Sequence, residues 1–151
     1  MNVEMIRERF GAAIKTEKLF RRETTLTVDR GVILPLCIFL RDDDMLAFEF
    51  LTDLCGVDLF PAEPRFLVVY HFFSPRRGLR LRIKVPLTEN DPVIDSVVSI
   101  WETADWHERE CFDLFGIQFR NHPDLRRILL PDDFEGHPLR KDFPLKGMID
   151  P

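Results

Sequence analysis

Apolar residues recur along this chain with two different periods, and the switches between them mark out helices and strands. Val3, Ile6 and Phe10 fall at helical spacing, so a short helix is expected over residues 2–10, stopped by Gly11. Leu19-Phe20, and then Thr24, Leu26 and Val28 alternating with Thr25 and Thr27, predict a β-hairpin. Pro35 suits the first turn of a second helix through Leu40, closed by the acidic cluster Asp42-Asp43-Asp44. The stretch 48–57 fits either period, and we read strand over 48–54.

Two further strands are plainer. Residues 66–73 are apolar nearly throughout, as in a strand buried on both faces. After the turn 74–78, Leu79, Leu81, Ile83 and Val85 alternate with Arg80, Arg82 and Lys84, which puts one face in the core and one in water. Together they predict an antiparallel hairpin at the centre of a sheet. Val97, Val98, Ile100 and Trp101 predict a short apolar helix. A second helix follows over 106–115, capped by Thr103 or Asp105 and ended by Gly116. The fold class expected is α+β: a two-layer domain over residues 1–116, with a mixed sheet covered by helices.

Residues 117–151 follow another rule. Pro123, Pro131, Pro138, Pro144 and Pro151 leave no room for a helix of normal length, yet Ile117, Phe119, Leu125, Ile128, Leu129, Leu130, Phe134, Leu139, Phe143 and Leu145 recur between them. We therefore expect an extended tail, mobile until bound, that adds its apolar groups to a partner's surface. The alternative is a tail folded back over its own sheet.

Composition narrows the function. A hydrophobic fraction of 45% and a charged fraction of 31% are those of a soluble globular domain, and the 151 residues suffice for one core. A net charge of −5 argues against general nucleic-acid binding; Arg76, Arg77, Arg80 and Arg82 read as a solvated strand edge. No apolar run reaches the roughly 18–20 residues of a membrane span, and the amphipathic, acid-bearing start is not a targeting peptide. The expectation is a soluble cytoplasmic protein, with peripheral attachment to a membrane assembly left open. Cys37, Cys55 and Cys111 lie far apart and never form CxxC, so burial as small apolar residues is expected.

Candidate chemistry centres on residues 106–115. His107 to Cys111 superficially matches the zinc-binding HExxH, but the second histidine and a third ligand nearby are missing. Trp106, Arg109, Glu110 and Asp113 share one helical face, on which Arg109 and Asp113 form either a surface ion pair or part of a docking surface. His71, inside a strand, reads as a hydrogen-bonded core residue. His122 and His137 each precede a proline, where a turn or partner contact is expected. No nucleophile elbow, phosphate loop or dinucleotide fingerprint is present in the sequence.

Glu108-Arg109-Glu110, two residues, Asp113-Leu114-Phe115, six residues, His122, three residues, then Arg126-x-Ile128-Leu129 resembles the signature of the 30 kDa subunit family of NADH:quinone oxidoreductase, respiratory complex I. The stretch 129–145, LLPDDFEGHPLRKDFPL, resembles that family's continuation. Phe50-Leu51-Thr52-Asp53-Leu54-x-Gly56-Val57-Asp58 and Ile100-Trp101…Ala104-x-Trp106 are also similar. The resemblance covers most of the chain, most specifically residues 101–145.

It implies a small peripheral-arm subunit, without a catalytic site or cofactor of its own, in a complex that uses NADH, FMN, iron–sulfur clusters and a quinone. It would sit on the cytoplasmic side of the inner membrane without inserting into it. Its partners would be the large quinone-site subunit and neighbouring iron–sulfur subunits. The partner-binding residues expected are Trp106, Arg109, Glu110, Asp113, His122, Arg126, Arg127, Leu130, Phe134, His137, Arg140 and Phe143, with 122–145 as the docking strip. Related chains occur in membrane-bound hydrogenases and in ferredoxin- or F420-linked complexes. A free-standing metal-dependent enzyme using the 107–113 helix is the remaining alternative.

Overall fold

A computed structural model of the chain describes residues 3–144. The expected helix start at Asn2 and the end of the docking strip at Leu145 lie outside the described residues. Helix α1 (Glu4–Phe10) is followed by strands β1 (Ile14–Phe20) and β2 (Glu23–Val28), then helix α2 (Ile33–Asp42). Next come β3 (Phe50–Asp58), β4 (Phe66–Ser74), β5 (Leu79–Leu87) and the short β6 (Val93–Asp95). Helix α3 (Ala104–Phe115) and the short β7 (Gln118–Arg120) follow, and single 3-10 turns at Gly11–Ala13 and Arg30–Val32 lead into β1 and α2.

Five strands form one sheet in the order β1-β2-β5-β4-β3, with β2 parallel to β5 and the other neighbours antiparallel. The expected α+β sheet-and-helix domain is therefore the observed one. The 66–73/79–85 hairpin takes its central position because its strands carry the longest run of inward apolar residues. Phe66, Val68, Tyr70 and Phe72 of β4 meet Leu81, Ile83, Val85 and Leu87 of β5 on one face. Ile6 of α1, Leu36 and Leu40 of α2, and Ala104 and Cys111 of α3 all join that same cluster. The sheet thus has one covered face.

The opposite face is where the sequence misled. β4 is not buried on both sides: Leu67, His71 and Phe73 are only half-buried. His71 stands between Asp53 of β3 and Arg82 of β5 rather than in the core. Partial burial, and next the Arg82 charge, push its pKa down. Cys37 and Cys111 are buried as expected, while Cys55, on this open face, is half-buried.

Other differences have local causes. Residues 97–101 make a single turn instead of a helix, with the Ile100 and Trp101 N–H groups both bonded to the Val97 carbonyl. The Val97 N–H is taken by the Glu108 side chain, and α3 begins too soon afterwards for propagation. Thr103 stands at the N-terminus of α3 without capping it; its hydroxyl donates to the Leu51 carbonyl instead. β6 and β7 have no counterpart among the expected elements, and their parallel pairing carries the body past Gly116. A three-residue pair is below what periodicity detects.

Helix α3 lies against β3 at Gly56, where a Cβ would come 2.7 Å from Cδ2 of Phe115. Only a glycine permits this approach. Gly56→Ala is expected to lower stability by about 1–3 kcal/mol through overpacking, read as a lower melting temperature. An unchanged melting temperature would show that Phe115 is not held in place.

Candidate docking site and its latch

The C-terminal carbonyls of a helix lack intrahelical partners and need donors from elsewhere. In α3 these are the carbonyls of Phe112, Asp113, Leu114 and Phe115. Gly116, at φ +74°, turns its N–H to the Phe112 carbonyl at 2.9 Å. The rest are met from the tail. His137 Nδ1 donates to the Asp113 carbonyl at 2.9 Å, the Leu139 N–H to Leu114 at 3.1 Å, and Arg140 Nε to Phe115 at 2.7 Å. A Cβ on Gly116 would lie 2.6 Å from both the His137 and Arg140 side chains, so the positive φ and the close tail both require glycine.

Asp113 holds the same segment from its side chain. Its Oδ2 accepts the N–H groups of Ile128, Leu129 and Leu130 at 3.0, 2.8 and 2.9 Å. Its Oδ1 accepts Arg127 Nη1 at 2.6 Å, and the carboxylate is fully buried. Three successive amides converging on one carboxylate oxygen impose a turn on 128–130 that sequence periodicity does not encode. Burial pushes this carboxyl upward, but Arg127 and the three N–H donors outweigh it and hold it at about 2. Arg127 continues to the Phe134 carbonyl at 2.7 Å, and Arg109 Nη2 donates to the Arg127 carbonyl at 3.0 Å.

A second tie lies beyond. Arg65, buried, pairs with Asp58 at 2.9 Å and with Asp142 of the tail at 2.6 Å. Asp58 also accepts the N–H groups of Lys141 and Phe60 at 2.8 and 2.9 Å. Burial raises the Asp58 carboxyl, and Arg65 and these amides bring it down to about 2. Asp58, Asp142 and Glu89 together push Arg65 upward. Sequence reading did not single out this pair; an arginine entering an apolar strand at 66 was the available signal.

Glu108 is turned the other way, into the core. Its Oε1 accepts the Val97 N–H at 2.8 Å, while Oε2 is buried without a hydrogen-bond partner. Burial, opposed by the Ser96 hydroxyl and the Val97 N–H, raises its pKa to about 7. His122 Nε2 lies 4.0 Å from Oε2. Because His122 Nδ1 accepts the Asp124 N–H, the ring proton sits on Nε2 and donates to the Asp105 carbonyl at 3.2 Å.

The residues expected to bind a partner thus separate into two groups. Arg109, Asp113, His122, Arg127, His137 and Arg140 are all engaged within the chain, and the anticipated Arg109–Asp113 pair on one helical face is not made. The tail covers the side of α3 that holds Asp113, and charge complementarity is used there to seat the tail. The tail expected to be free is hydrogen-bonded over 127–142, on α3 and the end of β3 rather than across the open sheet face. Trp106, Glu110 and Arg126 remain exposed, and Leu130, Phe134 and Phe143 are half-buried. Leu129 and Leu139, not chosen from sequence, are exposed with them. Trp106 is 70% and Leu129 62% exposed, beside a backbone already held in place. Among the described residues no three His, Cys, Asp or Glu side chains gather in a metal-binding arrangement.

The described residues thus form a two-layer sheet domain with its tail latched along one helix and bulky apolar side chains left outward. The chain belongs to the family of the 30 Kd subunit of respiratory-chain NADH dehydrogenase, which matches residues 26–148. It is 50% identical over 142 residues to an NADH-quinone oxidoreductase subunit of Geotalea uraniireducens, covering 94% of this chain and 85% of that protein. The subunit of the same name from Sinorhizobium medicae is 49% identical over 146 residues, 96% of this chain and 72% of the other.

Among solved structures, the trypsin-resistant fragment of Nqo5 superposes with a TM-score of 0.69 at 30% identity, over 83% of this chain and all of that one. A chain of the membrane-bound sulfane sulfur reductase, an archaeal respiratory membrane complex, gives a TM-score of 0.79 at 25% identity, over 95% and 84%.

Asp113→Asn removes the charge that four donors converge on and is expected to cost about 2–4 kcal/mol. Limited proteolysis should then cut within 121–144 while the body survives; a tail as resistant as the wild type would count against the latch. The native pKa of Asp113 lies below its ordinary value, so its contribution is complete above pH about 4 and lost as pH falls toward about 2.

Glu108 has the opposite sign. Its raised pKa stabilises the fold below about pH 4.5, and this stabilisation, on the order of 3 kcal/mol, is lost as pH rises through about 7. Glu108→Gln should flatten that limb of the stability–pH curve; an unchanged slope would assign it to another group.

Proposed function

We propose that the chain is a non-catalytic peripheral-arm subunit of a proton-translocating NADH:quinone oxidoreductase, scaffolding the quinone-reducing module by docking on the large quinone-site subunit. The observation that carries this reading is the latched tail of a 30 kDa-family member, which presents Leu129 and Leu139 on an ordered backbone, with Trp106 exposed on the helix it is latched to. Exposed tryptophan and leucine beside a pre-formed surface are what a partner's pocket takes up at low entropic cost.

In this reading the body runs through β7 and the docking strip begins at His122, with Glu110, Arg126, Leu130, Phe134 and Phe143 at its margins. The latch residues shape the strip from behind. NADH, FMN, iron–sulfur clusters and quinone belong to other subunits, and this chain brings no cofactor. It stands on the cytoplasmic side of the inner membrane beside the iron–sulfur subunits; among the described residues no helix is long and apolar enough to cross a bilayer.

Trp106→Ala and Leu129→Asp test it on exposed side chains. Each should leave the melting temperature of the isolated chain nearly unchanged, because surface substitutions shift stability by about 0.5 kcal/mol or less. Each should weaken association with the large quinone-site subunit on the order of 10-fold or more, measured by co-purification. Recovery of both variants with that partner at wild-type yield would overturn the docking assignment.

A further inference from the structure

β1 forms one edge of the five-stranded sheet, and every residue after Ile14 along it is exposed. Alternate backbone N–H and C=O groups of such a strand face away from β2, and among the described residues no strand lies beyond to receive them. At its end Leu19 and Phe20 are 70% and 60% exposed, an apolar pair in open solvent. The turn that follows puts Arg21 and Arg22 at φ +50° and +68°. Asparagine and glycine occupy that left-handed region readily; this turn spends it on two arginines.

The unpaired charge at this edge is one-sided: Glu17 is taken by Arg7 and Glu23 by Arg82. Lys18, Arg21 and Arg22 form no ion pair with any described residue. Lys18 and Arg21 instead lie over the Phe20 ring, at 5.9 and 5.2 Å from its centroid. On the open sheet face Lys18 stands opposite Thr25, which is opposite Arg82; Arg82 is paired with Glu23 at 3.3 Å, so the unpaired positive charge is that of Lys18, Arg21 and Arg22. This lies in a chain whose net charge is −5.

We infer that β1 is a second docking edge, which takes an extended acidic segment of another polypeptide as a sixth strand of the sheet. Backbone pairing satisfies the free edge, acidic side chains of the segment meet Lys18, Arg21 and Arg22, and apolar ones cover Leu19 and Phe20. A second copy of this chain fits poorly, because the one acidic residue of β1, Glu17, is already paired with Arg7, and its edge offers Lys18, Arg21 and Arg22 only further cations. An anionic lipid surface answers the charge but offers no strand of donors and acceptors. The edge is formed by β1 and the turn after it, apart from α3 and the tail. The inference rests on the proposed place of the chain in a multi-subunit complex.

Hydrogen exchange followed by mass spectrometry, on the free chain and on the intact complex, tests it. Amides of residues 14–20 should exchange at least about 10-fold more slowly in the complex. A photo-crosslinking benzoylphenylalanine at position 20 should join to an acidic segment of another polypeptide of the complex. The triple variant Lys18→Glu, Arg21→Glu, Arg22→Glu should return 14–20 to the free-chain rate while the tail around Leu129 keeps its added protection. Unchanged exchange over 14–20 overturns the docking edge, as do crosslinks confined to lipid, to a second copy, or to a segment that is not acidic. Added protection at Leu129 without any at β1 leaves the proposed function standing and removes only this inference. Loss of protection at both removes both.

Discussion

The Asp113 carboxylate organises the C-terminal third of the molecule. It is fully buried, which by itself favours the neutral acid, and it stays ionised because Arg127 and three successive backbone N–H groups close around it. That demand runs both ways. A buried charge needs its donors, and a stretch of chain without periodic structure needs something to bond to. Each supplies the other, so the tail takes one course along α3. The same tail completes the carbonyls at the end of α3, with His137 and Arg140 at the negative end of the helix dipole.

The latch explains the form of the family signature in this chain. Arg109 and Asp113 hold the backbone of 126–130, and Glu108 and His122 approach each other beneath the start of the tail. Most of the signature's charge is therefore used inside the chain's own fold, and the surface it prepares consists of apolar neighbours. Arg65, bridging Asp58 and Asp142, fixes the far end of the strip in the same manner. Ionic groups set its course, and Leu129 and Leu139 on it, like Trp106 on α3, are exposed.

Function was most legible where chemistry repeats in order along the chain. The alternation Leu79 to Val85, the Gly116 stop and the spacing from Glu108 to Leu129 all gave a clear signal. The division of roles did not. Arg109 and Asp113, four apart on a helix, suggested a pair with each other, but the tail offers each a better-matched partner: carbonyls for the guanidinium, amides for the carboxylate. Asp58 and Arg65 gave no signal as a pair, because a buried ion pair has no local period. His71 was placed in the core because an apolar strand reads alike whether its second face is covered or open.

By itself, then, the sequence determined what is local: the helix and strand periods, the stops, and a motif whose residue order identifies the family. Those properties follow from steric preferences and side-chain spacing within a few residues. Only the tertiary structure decided which face of the sheet stays open, which edge strand is left unpaired, and where the tail from 121 to 144 lies. These depend on desolvation and on donors and acceptors brought together across as many as 83 residues of chain, as between Asp58 and Lys141. The segment running from Trp106 to Leu130 combines both levels. Its order along the chain marks the family, and its folding back on Asp113 determines which of its side chains a partner can reach.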